Sequence, residues 1–179
     1  MGRKSELKQL NLWMNGKPVG EWRISSSGMH EFNYINSWIQ SNFSRAISLS
    51  LPLMPENQKY KGAIVESFFE NLLPDSLDIR KRLQSRFHTK TSQAFDLLKE
   101  IGRDCVGAIQ LLGPEFKEVD VYNIKGHAVN ESELEKILLS IDGKHKYYNF
   151  KDDDFRISIA GAQEKTTFMR IPPDEFRAC

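Results

Sequence analysis

Leu10-Asn11-Leu12-Trp13-Met14-Asn15-Gly16 decides how the first half of the chain folds. Leu10, Leu12 and Met14 alternate with Asn11, Trp13 and Asn15, the period-two pattern of a strand with one face buried. Asn15-Gly16 then supplies two residues that tolerate positive φ, as a tight type I′ hairpin turn requires. Residues 19–24 become the return strand. Ser25-Ser26-Ser27-Gly28 forms a second turn. Residues 29–38 read as a strand followed by a loop, with Phe32, Tyr34 and Trp38 as core aromatics. Ser48-Leu49-Ser50-Leu51-Pro52-Leu53 alternates well enough for a strand, and Pro52 confines it to a sheet edge.

Beyond residue 60 the pattern turns helical. Ile64, Val65, Phe68, Phe69, Leu72 and Leu73 recur at three-and-four spacing and predict one buried stripe, with Pro74 ending the helix. Asp75 or Ser76 can cap a second helix, whose apolar side is Leu77, Ile79, Leu83 and Phe87. Ser92 can cap a third through Phe95, Leu97, Leu98 and Ile101, stopped at Gly102. Residues 106–112 return to a strand. A strand flanked by loops is expected within 114–129. Asn130 and Glu133 have capping-box spacing before a helix carrying Leu134, Ile137, Leu138 and Ile141. The polar run 144–154 reads as a linker, and strands are expected at 155–159 and 166–171.

Composition bounds the function classes. The 179 residues are 40% hydrophobic and 27% charged, a globular balance. No apolar run approaches the ~18 residues of a membrane span, and the N-terminus lacks the apolar segment of a secretory signal. Cys105 and Cys179 have no metal-like spacing, and His30, His88, His127 and His145 are scattered, so neither a metal centre nor a disulfide scaffold is expected. A reducing, cytoplasmic setting fits. The net charge of +1 hides an asymmetry: residues 1–90 carry 13 basic and 8 acidic side chains, net +5, and residues 91–179 carry 12 and 16, net −4. The basic excess peaks in Arg80, Lys81, Arg82, Arg86 and Lys90. It reads first as a solvated helix face and second as a patch for an acidic partner, protein or nucleic acid.

Phe155-Arg-Ile-Ser-Ile-Ala-Gly-Ala-Gln-Glu-Lys165 carries the strongest chemical hint. Alternation puts Phe155, Ile157 and Ile159 on one strand face and Arg156 and Ser158 on the other. Ala160-Gly161-Ala162 removes side-chain bulk at the following turn, so that backbone N–H groups can approach an anion. A plain hairpin has the same composition.

The segment resembles the glycine-rich loop of HipA-type serine/threonine kinases, the toxins of bacterial toxin–antitoxin pairs. Colinear matches to that family are Leu12-Trp-Met-Asn15, Ser48-Leu-Ser-Leu-Pro-Leu53, Phe68-Phe-Glu-Asn-Leu-Leu-Pro-Asp75, Phe95-Asp-Leu-Leu98, Glu100-Ile-Gly-Arg-Asp-Cys-Val-Gly-Ala108 and 154–166. The resemblance implies an α+β fold: an N-terminal mixed β-sheet with helices at 1–112, a connecting strand, helix and linker at 113–153, and at 154–179 the first strands of a kinase-like N-lobe. It implies that Ala160, Gly161, Ala162, Gln163, Glu164 and Lys165 form the loop over the ATP phosphates and that Ser158 is the autophosphorylation site. A phosphate there adds roughly −1.5 to −2 charge where the nucleotide phosphates would sit.

Phosphoryl transfer also needs a catalytic-loop Asp and metal-binding Asp and Asn residues. The family carries these downstream of the loop, and no such catalytic segment occurs in these residues. The tail after Arg170 departs from the family, and Pro172-Pro173 is expected to stop strand pairing. The expectation is a truncated or split HipA-like chain without catalytic residues of its own. It would need no cofactor alone, and ATP with Mg when a kinase core complements it. The implied partners are a HipB-like antitoxin and a separately encoded kinase core, with DNA reached only through the antitoxin and no membrane. An alternative is an enzyme fragment awaiting its core. Direct nucleic-acid binding by the 80–90 cluster ranks last.

Overall fold

The computed structural model describes residues 8–54, 58–105, 108–122, 127–141, 168–171 and 175–178. The expected linker, the strand at 155–159, the loop at 160–165, Ser158 and Cys179 lie outside these residues.

The opening hairpin forms as the alternation dictates. Strand β1 (Lys8–Met14) pairs antiparallel with β2 (Lys17–Ile24). Asn15 and Gly16 turn the chain with φ of 50° and 74°, both in the left-handed region. β3 (His30–Tyr34) pairs with β2, and the two-residue β4 (Tyr60–Lys61) closes one edge. β5 (Ile109–Leu112) returns along the other side of β1, giving the sheet order β4-β3-β2-β1-β5. Where β2 passes β3, Gly20 lies so close that an added Cβ would sit 2.5 Å from the Asn33 carbonyl oxygen and 2.7 Å from the Phe32 ring. The short helix α1 (Asn36–Ile39) follows β3 and buries Trp38.

Three helices pack on the sheet: α2 (Ala63–Glu70), α3 (Leu77–Arg86) and α4 (Ala94–Ile101). Leu10, Leu12, Trp22, Phe32 and Tyr34 from the sheet meet Val65, Phe69, Leu83, Leu97 and Leu98 from the helices in one continuous core. Trp22 is its centre. Its indole stacks on Phe69 at 3.8 Å and meets Phe95 edge-on at 5.0 Å. A 3₁₀ turn (Gly102–Asp104) leads from α4 toward β5, and the Cys105 amide donates to the Ile109 carbonyl across the bend at 3.2 Å.

A second, three-stranded sheet has the order β6-β8-β7, from β6 (His127–Val129), β7 (Phe168–Ile171) and β8 (Glu175–Ala178). Between β6 and β7 in sequence comes α5 (Glu131–Ile141). Its capping box forms reciprocally: Glu133 N–H donates to the Asn130 side chain and Asn130 N–H to the Glu133 carboxylate, each at 3.0 Å.

Several expectations are corrected. Residues 48–53 are not an edge strand; only an isolated Ser48–Leu51 bridge forms. The Tyr34 hydroxyl accepts from Ile47 N–H and donates to the Leu51 carbonyl, which folds the segment back on itself. Leu49 is left fully exposed. The edge goes to β4 instead. Helix α2 stops at Glu70, before Pro74, and Ile64 is 44% exposed. Ser76 caps α3, accepting from Ile79 N–H, but Leu77 is 67% exposed and outside the core. In α5, Ile137 is buried while Leu138 is exposed. Ser92 does not cap α4. The N-cap position is Gln93 with no side-chain bond, because the Glu70 carboxylate of α2 takes the Ala94 N–H. Strand pairing is not stopped after Arg170: β7 and β8 pair antiparallel from Phe168 opposite Ala178 to Ile171 opposite Glu175.

Candidate functional site

The expected phosphate loop and Ser158 fall among the residues not described, and the basic cluster divides. Arg80 turns inward. Its side chain is 12% exposed and ion-paired with Glu70. Its Nε donates to the Pro74 carbonyl at 2.7 Å and its Nη2 to the Glu70 carbonyl at 3.2 Å. A planar fork satisfied by three acceptors is a structural clamp. Lys81, Arg82 and Lys90 are exposed, and Arg86 is half-buried with its guanidinium 5.6 Å from the Phe87 ring centroid. The outward basic surface is therefore smaller than the run of residues suggests.

The arrangement that sequence reasoning missed is a cleft of about 750 Å³ between the β2–β3 turn, α2 and the start of α4. Lys8, His30, Glu66 and Glu70 supply its charged and titratable groups, and Ile24 and Phe95 supply apolar wall. Glu66 and Glu70 sit one helical turn apart, so both side chains leave the same face of α2. That spacing is legible in the sequence. Its meeting with His30, far off along the chain, is not.

Each charge in the cleft has a distinct setting. Glu70 has one carboxylate oxygen on Arg80 and the other 3.3 Å from Ala94 N. Lys8 lies 3.4 Å from the Asp96 carboxylate, which also accepts from the Thr91 hydroxyl at 2.6 Å. Glu66 is exposed and makes no ion pair among the described residues. The His30 ring tilts against Trp22 at 5.6 Å, and its Nδ1 is buried without a hydrogen-bond partner among the described residues. Burial pushes the His30 imidazole below its ordinary range. The Glu66 and Glu70 carboxylates oppose that shift, and the Lys8 ammonium adds to it. His30 is thus held toward its neutral form.

Among the described residues no group of three or more His, Cys, Asp or Glu side chains could hold a metal ion. No helix among them is long and apolar enough to cross a membrane.

Comparison with known proteins agrees with the fold. The family model for the HipA N-terminal domain matches residues 10–112. Two proteins of Sinorhizobium fredii (strain NBRC 101917 / NGR234) that carry the name "Putative kinase", Y4mE and Y4dM, are similar. Y4mE is 26% identical over 170 residues, covering 92% of this chain and 39% of Y4mE. Y4dM is 29% identical over 150 residues, covering 80% of this chain and 36% of Y4dM. Among solved structures, HipA in the Shewanella oneidensis MR-1 complex of HipA, HipB and operator DNA superposes with a TM-score of 0.61 at 20% identity. The match covers 94% of this chain and 37% of that one. The chain thus spans less than two-fifths of the length of each of these relatives.

Proposed function

Because this chain belongs to the HipA N-terminal domain family, we propose that it is the N-terminal interaction segment of a HipA-like toxin–antitoxin kinase system, docking on a kinase core, a HipB-like antitoxin, or both. One observation carries the reading: the matched residues 10–112 are those that build the five-stranded sheet, its three packed helices and their shared core. A unit with its own core can present a fixed surface to another domain.

In this reading residues 1–112 are the docking unit, 113–153 connect, and 154–179 begin the kinase core. In this reading catalysis belongs to the kinase core, which would carry the catalytic-loop Asp and metal-binding residues that phosphoryl transfer needs. DNA is contacted only through the antitoxin, in the cytoplasm. The decisive experiment is co-expression with a HipA-like kinase core and a HipB-like antitoxin from the same organism, followed by purification through a tag on this chain. Retention of either protein supports the role, and retention of neither overturns it.

The match at 154–166 favours a second reading, in which this chain lends a phosphate loop to a core supplied in trans. Ala160 to Lys165 would cover the ATP phosphates, with Mg held by the core, and Ser158 would accept the phosphoryl group. Radiolabel from ATP reaching Ser158 only after the core is added supports this version. Its absence under those conditions rejects it.

A further inference from the structure

The loop between α1 and β4 keeps its apolar side chains in water. Phe43 is 59% exposed, Leu49 fully and Met54 38%, three large hydrophobics within twelve residues. The stretch 40–54 also carries a single charged residue, Arg45, where about four would match the chain's 27% charged content. Absence of Lys, Asp and Glu beside an outward aromatic and an outward Met is the composition of the buried centre of a protein–protein interface.

The loop is also fixed in advance. The Trp38 indole Nε1 donates to the Arg45 carbonyl at 3.1 Å, and the Arg45 Nε lies 3.1 Å from the Met14 sulfur. The Tyr34 hydroxyl holds Ile47 N–H on one side of the turn and the Leu51 carbonyl on the other. Ser48 Oγ accepts from Ser50 N–H at 3.1 Å, and the Tyr60 hydroxyl donates to the Pro52 carbonyl. Leu51 is fully buried, so the turn is anchored two residues from the leucine it exposes. Holding Leu49 outward adds nothing to the core. It does lower the ordering cost of a partner's binding.

We propose that the 40–54 loop is the surface that docks on the kinase core, with Phe43 and Leu49 entering apolar depressions of that partner. The proposal rests on the reading above, in which a HipA-like core is a partner of this chain. Nucleic acid and anionic membrane surfaces call for exposed Lys and Arg clusters, which this loop lacks. Between the core and the antitoxin, the apolar character favours the core, because permanent contacts are the more apolar kind. This chain spans less than two-fifths of the relatives it matches, so those relatives hold this fold and the rest of their length together permanently in one polypeptide.

The test uses the full chain, tagged and co-expressed with a HipA-like kinase core alone and with a HipB-like antitoxin alone, and measures what the tag retains. The parent chain retains the core. Leu49→Ser combined with Phe43→Ser lowers that retention roughly tenfold or more, as loss of two interface anchors implies, with a urea midpoint close to the parent's. Leu49→Ser alone, which has no packing to lose, lowers it severalfold. Leu77→Ser, on a leucine 67% exposed in α3, leaves it unchanged. Full retention of the core by the loop variants, or equal loss with Leu77→Ser, overturns the proposal. So does binding of the parent chain to phosphatidylcholine vesicles, or self-association, that the loop variants abolish while still retaining the core. A parent chain that retains only the antitoxin overturns this choice of partner and leaves the docking reading standing, whereas one that retains neither protein rejects both.

Discussion

Tyr34 holds the 47–51 turn through one oxygen. Its hydroxyl accepts from Ile47 N–H at 3.0 Å and donates to the Leu51 carbonyl, and the ring is buried. Tyr34→Phe keeps the ring and strands two backbone groups, so it should cost about 1–3 kcal/mol in urea unfolding. Burial pushes the phenol up to about 12, against the Ile47 bond and with the nearby Tyr60. A raised folded value means stability is complete below the unfolded value of about 10. It is then lost as pH rises from there to about 12, and Tyr34→Phe should flatten that decline. His30 runs the other way. Its folded value is lowered, so the unfolded chain takes up the proton first. Stability should fall as pH drops below about 6.5 and level off beneath the folded value. A His30→Gln variant should lose this acid slope between pH 7 and 5.5 in thermal melts. An unchanged slope would assign it to other groups.

At the scale of elements, the Arg80–Glu70 pair ties three helices together. Glu70 is the last residue of α2, Arg80 lies in α3, and the Glu70 carboxylate caps the first N–H of α4. Arg80→Ala removes the guanidinium from α3 and frees the Pro74 and Glu70 carbonyls and the Glu70 carboxylate. The pair is partly solvated, so the expected loss is about 1–3 kcal/mol. Arg80→Lys should recover only part of it, because an ammonium cannot reproduce the fork. Equal stability of Arg80→Lys and the parent chain in denaturant melts would contradict the clamp. Element boundaries follow the same tertiary logic. Sequence placed the cap of α4 on Ser92, a sound local choice that the Glu70 carboxylate supersedes from outside the segment. The capping box of α5 was legible because both of its partners, Asn130 and Glu133, lie within four consecutive residues of one chain segment.

For the whole molecule, the sheet and the helices share one core through Trp22. The indole is fully buried between Phe69 of α2 and Phe95 of α4. Trp22→Ala should cost about 3–5 kcal/mol. That is a large share of a small domain's stability, so the variant should lose sharp amide dispersion and any capture of a partner together. Retained capture by a Trp22→Ala chain that has lost this dispersion would place the docking surface outside the sheet-and-helix unit. The sequence by itself determined the hairpin, the three packed helices, most of the core and the family resemblance. The elements rest on patterns within about ten residues, where period and turn chemistry act directly, and the resemblance rests on short motifs kept in order from residue 12 to 166. Only the tertiary structure decided that Arg80 faces inward, that residues 48–53 leave the sheet, and that His30, Glu66 and Glu70 share a cleft. Those outcomes depend on which distant group satisfies a charge or a backbone donor, and no local period encodes a partner dozens of residues away.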